Sequence, residues 1–358
     1  MSFLYNAWYV AAWASEVNDA PVSRRLLGED VVLFRGASGM AHALADRCPH
    51  RFAPLSRGKI CGEAIECAYH GLHFDDTGRC IKNQIGGGHI PANAKVRSYP
   101  LVQKYQMLWI WMGDPARADV AQLPNYDNVV PDRKAGHDNL GNYLLVKANY
   151  LLEIDNLMDL SHVNFLHNGT LGNETMRPTQ PRITETANSI RADLWMPNTR
   201  APFGELVGQP CDQWQNMIWM SPTSMLLEFG QVPPGAPPLQ KPDELAIHIV
   251  TPETERTTHY FFGTSGVYGD EEAWKAEAMR QAQIGAFTNE DNPMIEAIDG
   301  RMDGTDLWSL DPVLLRGDNA AVKVRRRLDN AVRAEREAAE DDEIVLFVKP
   351  PSSVSRSS

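Results

Sequence analysis

The sequence predicts an α+β fold in two parts: an all-β unit first, then a unit of antiparallel strands and helices. Three observations predict it. Short alternating segments fill residues 1–115, cut by turn signals at Gly36, Gly58, Gly78 and Gly86-Gly87-Gly88. Longer alternating segments lie between residues 190 and 264. Three stretches, 148–167, 271–287 and 320–339, carry apolar residues at helical spacing.

The elements follow in chain order. Val31–Arg35, Ala64–Tyr69 and Leu108–Met112 read as strands of the first unit. Gly113-Asp114-Pro115-Ala116-Arg117 marks its end, so this unit spans 1–118. The second unit, 119–340, opens with a polar, Pro-containing connection to about residue 140. Ala148–His167 then reads as a helix. Ile190–Pro197, Gln215–Trp219, Ser224–Val232, Leu245–Thr251 and Thr257–Thr264 read as strands. Glu271–Phe287 and Ala320–Ala339 are the two long helices. Residues 341–358, ending in Pro-Pro-Ser-Ser-Val-Ser-Arg-Ser-Ser, are expected to be a mobile tail.

The formal charge of -12 over 358 residues argues against a nucleic-acid partner, which would require a basic surface. No segment is long enough to span a bilayer. The apolar run Ala7–Ala14 has no basic stretch before it and no cleavage site after it, so a cytoplasmic protein is expected. The odd count of five cysteines argues against a disulfide framework. Cys48, Cys61, Cys67 and Cys80 fall within 33 residues, which points to metal chemistry.

Cys48-Pro49-His50 is followed, after sixteen residues, by Cys67-Ala68-Tyr69-His70. Two Cys and two His at these spacings are able to bind zinc. The unequal halves, C-x-H and C-x-x-H, match instead a Rieske centre, a [2Fe–2S] cluster with thiolates on one iron and imidazoles on the other. A second cluster of ligand types lies in Glu153-Ile-Asp155-Asn156-Leu-Met-Asp159-Leu-Ser-His162-Val-Asn-Phe-Leu-His167. Asp159 and His162 share a helix face. His162 and His167 would lie about 140° apart on an ideal helix, so they reach one metal only where the helix is distorted or broken. Two His and a carboxylate are the facial triad of non-haem Fe(II) oxygenases.

The stretches Cys48-Pro-His50-Arg51-Phe-Ala-Pro-Leu55, Cys67-Ala-Tyr-His70-Gly71-Leu72 and Asn156-Leu-Met-Asp159-Leu-x-His162-x4-His167 resemble Rieske non-haem iron oxygenases. Trp109-Ile-Trp111-Met-Gly-Asp-Pro115 and Thr251-Pro-Glu-Thr-Glu255 resemble the group containing vanillate and dicamba O-demethylase oxygenases and toluenesulfonate methyl-monooxygenase. Respiratory Rieske proteins carry an extra Cys beside each ligand pair. Here none stands in those positions, and Cys61 and Cys80 read as small buried apolar residues.

The resemblance implies a Rieske domain followed by a helix-grip catalytic domain, in a head-to-tail homotrimer. It implies Cys48, His50, Cys67 and His70 as cluster ligands, and His162, His167 and Asp291 as ligands of a mononuclear Fe(II). Asn289-Glu290-Asp291-Asn-Pro-Met-Ile-Glu296 resembles the segment supplying the third ligand. Asp159 matches the acid that bridges a cluster His of one subunit to an iron His of the next, and Asn156 matches a position near the iron. A reductase or ferredoxin would deliver NAD(P)H-derived electrons, and O₂ would be the oxidant. The implied reaction is hydroxylation of a methoxy or methyl group on a small aromatic acid, with formaldehyde released from a methoxy group. Substrate contacts are expected from His248, Glu228 and Gln231. At Ala282 the dicamba enzyme has a Trp, which implies a differently shaped pocket. Ring dihydroxylation and simple electron transfer are the competing functions. The second would have no use for His162, His167 and Asp291.

Overall fold

A computed structural model describes residues 3–348 apart from 131–136, 178, 203–205, 240 and 269. The first unit is built from three small antiparallel sheets. Trp8–Trp13 pairs with Met107–Trp111, which also pairs with Leu101–Lys104. Val22–Leu26, Glu29–Arg35, Ala41–Ala45 and Ser98–Tyr99 form the second sheet. Lys59–Cys61, Ala64–Glu66, His73–Phe74 and Cys80–Lys82 form the third. The strand expected over Ala64–Tyr69 stops at Glu66, because Cys67 opens a tight loop. Val32, Phe34, Leu44, Leu55, Ile65 and Phe74 pack around Cys48 and Cys67, so both thiols sit in the core of this unit.

The second unit is a seven-stranded antiparallel sheet carrying helices. In spatial order its strands are His137–Val146, Thr257–Tyr268, Glu244–Thr254, Ser224–Val232, Pro210–Met220, Ser189–Arg200 and Arg182–Glu185. The first of these corrects the expectation of a connection reaching about residue 140. Polar side chains hide this strand from a hydrophobic pattern. Asn139, 1% exposed, donates to Thr264 Oγ1 at 3.0 Å and to Gln283 Oε1 at 2.7 Å, so its burial is compensated.

The helices are α1 (Tyr150–Met158), α2 (Val163–Leu166), α3 (Ala273–Ala286), α4 (Asn292–Asp299) and α5 (Asn319–Val348). Asn149 caps α1 by accepting from the Leu151 N–H at 3.0 Å. The buried Arg325 of α5 donates from Nε to both Asp155 oxygens at 2.8 Å, clamping α5 to α1. α5 continues past Ala339 and through residues 341–348, where a mobile tail was expected. The remaining tail, 349–358, lies outside the described residues. Tyr9, Leu27 and Leu108 of the first unit share one apolar cluster with Ile154, Met217, Phe262 and Ala286 of the second. Among the described residues no helix is long and apolar enough to cross a membrane.

Candidate metal centres and active-site cavity

The two Cys loops of the first unit are closed by the same hydrogen bonds at the same offsets. The Phe52 N–H donates to the Cys48 carbonyl at 2.9 Å, and the Gly71 N–H donates to the Cys67 carbonyl at 3.0 Å. Cys48 and Cys67 in turn donate to the Ala53 and Leu72 carbonyls. Phe52 (φ 61°) and Gly71 (φ 67°) both take the left-handed conformation that these closures require. The loops therefore present Cys48 with His50, and Cys67 with His70, toward one point. The two imidazoles lie 4.5 Å apart between ring centres. Cys48 and Cys67 are each 1% exposed, while His50 reaches the surface, where Phe52 and Tyr69 are also exposed. Burial pushes the Cys48 thiol up to about 11, and the adjoining Cys67 adds to that rise. A thiol held so high becomes a thiolate only opposite a cation. Two buried sulfurs beneath two outward imidazoles is the donor set of a Rieske cluster.

Cys61 and Cys80 are corrections. Neither is buried in the core. Both lie on the short outer sheet, whose strands are too brief to cover their side chains. The Cys61 thiol lies 3.6 Å from Glu66 Oε2, and His73 Nε2 lies 3.1 Å from the same oxygen.

The continuous helix expected over Ala148–His167 is broken at Asp159. This residue is extended (φ -121°, ψ 90°), and its carboxylate caps the following 3-10 turn by accepting from the Ser161 N–H at 2.9 Å. Between the two His, the 3-10 turn Leu160–His162 passes into the short α2, which ends at His167 (φ -97°, ψ 21°). This irregular stretch replaces an ideal helix, and the two rings face one another with centres 5.1 Å apart. Asp291 arrives from a π-helical turn, Phe287–Asp291, between α3 and α4. Pro293, at the start of α4, has no N–H to continue the regular helical ladder, which favours the wider turn.

The three side chains meet with defined polarity. Asp291 Oδ1 lies 3.7 Å from His162 Nε2, and Oδ2 lies 3.3 Å from His167 Nε2. The His162 Nδ1–H donates to the Asp159 main-chain carbonyl at 2.8 Å. A carbonyl can only accept, so Nε2 of His162 keeps its lone pair. The His167 Nδ1–H donates to Glu290 Oε2 at 2.5 Å, which aims its Nε2 inward as well. Asn156 donates to Asp291 Oδ1 at 3.1 Å and fixes the carboxylate. Burial lowers the His162 pKa. Burial acts the same way on His167, but hydrogen bonding and charge from Asp291 and Glu290 outweigh it and raise that group. Two inward lone pairs facing a carboxylate repel one another unless a cation sits between them. All three ligand atoms lie within 4.8 Å of one another, as a facial triad requires.

This triad forms one wall of a cavity of about 470 Å³. Strand alternation puts Glu244, Ala246 and His248 on the cavity face, together with Gln215, Met217, Leu227 and Phe229 of the neighbouring strands. Ala282 lines the opposite wall from α3. His248 is 3% exposed, and burial holds its pKa down to about 4. Its Nδ1 lies 2.6 Å from the Tyr260 hydroxyl, while its Nε2 has no partner. Two expected contacts are corrected. Glu228 has the opposite parity to Leu227 and Phe229, and faces away to pair with Arg191 at 2.6 Å. Gln231 is buried further along the same strand and does not line the cavity.

The comparisons with known proteins agree with this geometry. Residues 7–100 match the Rieske [2Fe-2S] domain, and residues 146–334 match the vanillate O-demethylase oxygenase C-terminal domain. The chain is 40% identical over 346 residues to the oxygenase component of chloroacetanilide N-alkylformylase from Rhizorhabdus wittichii, covering 93% of this chain and 97% of that one. The chain belongs to the Rieske oxygenases. This Rieske oxygenase component is also 35% identical to the dicamba O-demethylase oxygenase of Stenotrophomonas maltophilia, over 94% of this chain and 99% of the relative. The crystal structure of dicamba monooxygenase bound to dicamba superposes with a TM-score of 0.83 at 34% identity, covering 94% of this chain and 100% of that one. Oxygenase components of this kind work within multicomponent systems that supply their electrons.

Two residues of this Rieske oxygenase gain roles that sequence reasoning did not assign. Glu290 orients His167, and its signal was its place beside Asp291. Glu153 is 2% exposed on α1, with Oε2 unpartnered. Burial, and then the charge of Asp291, push its carboxyl up to about 8. Its helical position gave no sign of that burial.

Proposed function

We propose that this chain is the terminal oxygenase of a monooxygenase system. His162, His167 and Asp291 hold the mononuclear iron, and Cys48, Cys67, His50 and His70 hold the cluster. The observation that carries this reading is the meeting of two inward Nε2 atoms and one carboxylate on the wall of a largely apolar cavity. Bound iron supplies O₂ activation and insertion of one oxygen atom into a C–H bond, the other atom leaving as water. Two electrons come from NAD(P)H through a reductase or ferredoxin.

The substrate is an aromatic compound with a methoxy or methyl carbon at the triad. Hydroxylation of a methoxy carbon gives a hemiacetal, which breaks down to a phenol and formaldehyde. The chloroacetanilide relative supports extending this to an N-alkyl carbon, where the hemiaminal collapses in the same way. The protein's own work is placement. Tyr260 is hydrogen-bonded to His248 Nδ1, and donation from its hydroxyl leaves an N–H at Nε2 directed at a substrate oxygen. Leu157, Val163, Met217 and Phe287 exclude water around the reacting carbon.

Electrons cross between subunits of a homotrimer, with Asp159 bridging His70 of one subunit and His162 of another. The exposed apolar side chains Phe52 and Tyr69 beside the cluster, and Phe165, Val313 and Leu315 on the catalytic unit, support such burial. Division into a cluster domain (1–118) and a catalytic domain (119–340), and a cytoplasmic location, complete the reading. It is tested by supplying the anaerobically purified protein with a reductase, NADH, O₂ and a panel of methoxy- and N-alkyl-aromatics. Formaldehyde release is expected. Reduction of the cluster with no oxidised product from any substrate would overturn the reading.

A further inference from the structure

On the sheet wall of the cavity, polar side chains stand at two separated places, and the two differ in kind. At the metal end stands His248. At the other end Gln215, Phe229 and Glu244 form one cross-strand row, since Phe229 is the register partner of both others. Gln215 and Glu244 therefore flank the Phe229 ring on the same sheet face. His248 lies four residues further along the strand than Glu244, roughly 13 Å at strand spacing. Both side chains of the far pair offer acceptors. Gln215 Oε1 is buried with no partner. Burial lifts the Glu244 carboxyl to about 7, against a hydrogen bond from Thr264 and with a small addition from Asp243.

The charges on the wall complete the pattern. Asp291 belongs to the triad. Lys275, the cation among the lining residues, is ion-paired with Glu272 at 2.5 Å, on a side chain 44% exposed. A substrate carboxylate at the far end would meet Glu244 and Gln215 Oε1, and among the described lining residues the one Lys or Arg is Lys275, already paired with Glu272 toward solvent. A buried charge in that position is strongly disfavoured. A neutral N–H there would satisfy an acceptor that is otherwise orphaned.

We infer that the cavity selects an uncharged aromatic substrate carrying an N–H donor, of the carboxamide or anilide type, at the end remote from the metal triad. This rests on the active-site reading above, and it replaces the aromatic acid that the resemblance implied. Glu244 and Gln215 are the specificity-determining residues, and His248 receives an oxygen nearer the reacting carbon.

Matched ligands separate the two claims. The holoenzyme is titrated calorimetrically under nitrogen with 4-methoxybenzamide, 4-methoxyacetanilide and 4-methoxybenzoate, and formaldehyde is scored separately under turnover. The inference predicts that at least one amide binds more than about tenfold tighter than the benzoate. It further predicts that Glu244→Lys reverses this order, while Glu244→Gln keeps it. Benzoate binding as tight as the amides in the wild type, or no binding by either amide, would overturn the inference. Tight amide binding without formaldehyde would leave the inference standing and count against the dealkylation reading alone. Should Glu244→Lys fail to fold, the wild-type and Glu244→Gln titrations decide the matter.

Discussion

The Asp291 carboxylate lies 3.3 Å from Nε2 of His167, although one residue ends a π-helical turn and the other ends a short helix of a different segment. Neither element is regular, and the irregularity is what brings the groups together. An unbroken helix would have turned His162 away from His167. A regular continuation of α3 would have rotated Asp291 off the cavity wall.

Glu290 is expected to act through His167. Its carboxylate fixes the Nδ1–H tautomer and increases the basicity of the inward nitrogen. Glu290→Gln should weaken iron binding by about 10- to 100-fold, with the cluster spectrum unchanged. Competition with a graded series of chelators measures this. Wild-type affinity in the variant would show that Glu290 only caps the loop through Thr170.

Glu153 should make the metal-free protein pH-sensitive. Its carboxyl is raised from 4.5 to about 8, so the folded chain holds a proton that the unfolded chain releases in that window. Stability therefore falls as pH rises from 4.5 toward 8, by at most about 1.4 kcal/mol per pH unit. Glu153→Gln, which mimics the protonated form, should flatten the dependence. Denaturant melts of the chelated protein across this range give the answer, and parallel wild-type and variant curves would refute it.

The Asp159 side chain should govern electron passage between subunits. Asp159→Asn keeps the cap on the Ser161 turn but is no longer able to accept from two imidazoles. Both metal sites should stay filled and the cluster should still be reduced. Cluster reoxidation in single turnover with O₂ and substrate should slow by more than about tenfold. Gly317→Ala probes the same group, because an added Cβ would stand 2.7 Å from Asp159 Oδ2 and displace it. Normal reoxidation in both variants would remove Asp159 from the electron path.

Much of this was legible in the sequence, for identifiable reasons. Cys48, His50, Cys67 and His70 lie close together in the chain, so their spacing alone carries the chemistry. The strands from 189 to 268 alternate and were found, with ends a few residues short. The strand His137–Val146 was hidden because it buries Asn139 and Asn142; Asn139 is compensated by Thr264 and by Gln283 on a distant helix, and Asn142 donates to Asn139. Glu228 was misplaced because the parity of a strand cannot be fixed until its cavity-facing neighbours, Leu227 and Phe229, are known. A distortion between His162 and His167 was required by the placing of the two His, and the 3-10 turn and short α2 supply it, whereas the break at Asp159, ahead of both, carried no such signal. The π-turn at Asp291 was signalled only by Pro293.

The central claim is that His162, His167 and Asp291 hold an iron distinct from the cluster. Counting iron and acid-labile sulfide in anaerobically reconstituted wild type and in His162→Ala tests it most directly. The account predicts about three irons and about two sulfides per chain in the wild type. In the variant it predicts loss of about one iron, retention of both sulfides and the reduced-cluster EPR signal, and no product formation. A variant that keeps its full iron and turns over normally would contradict the account.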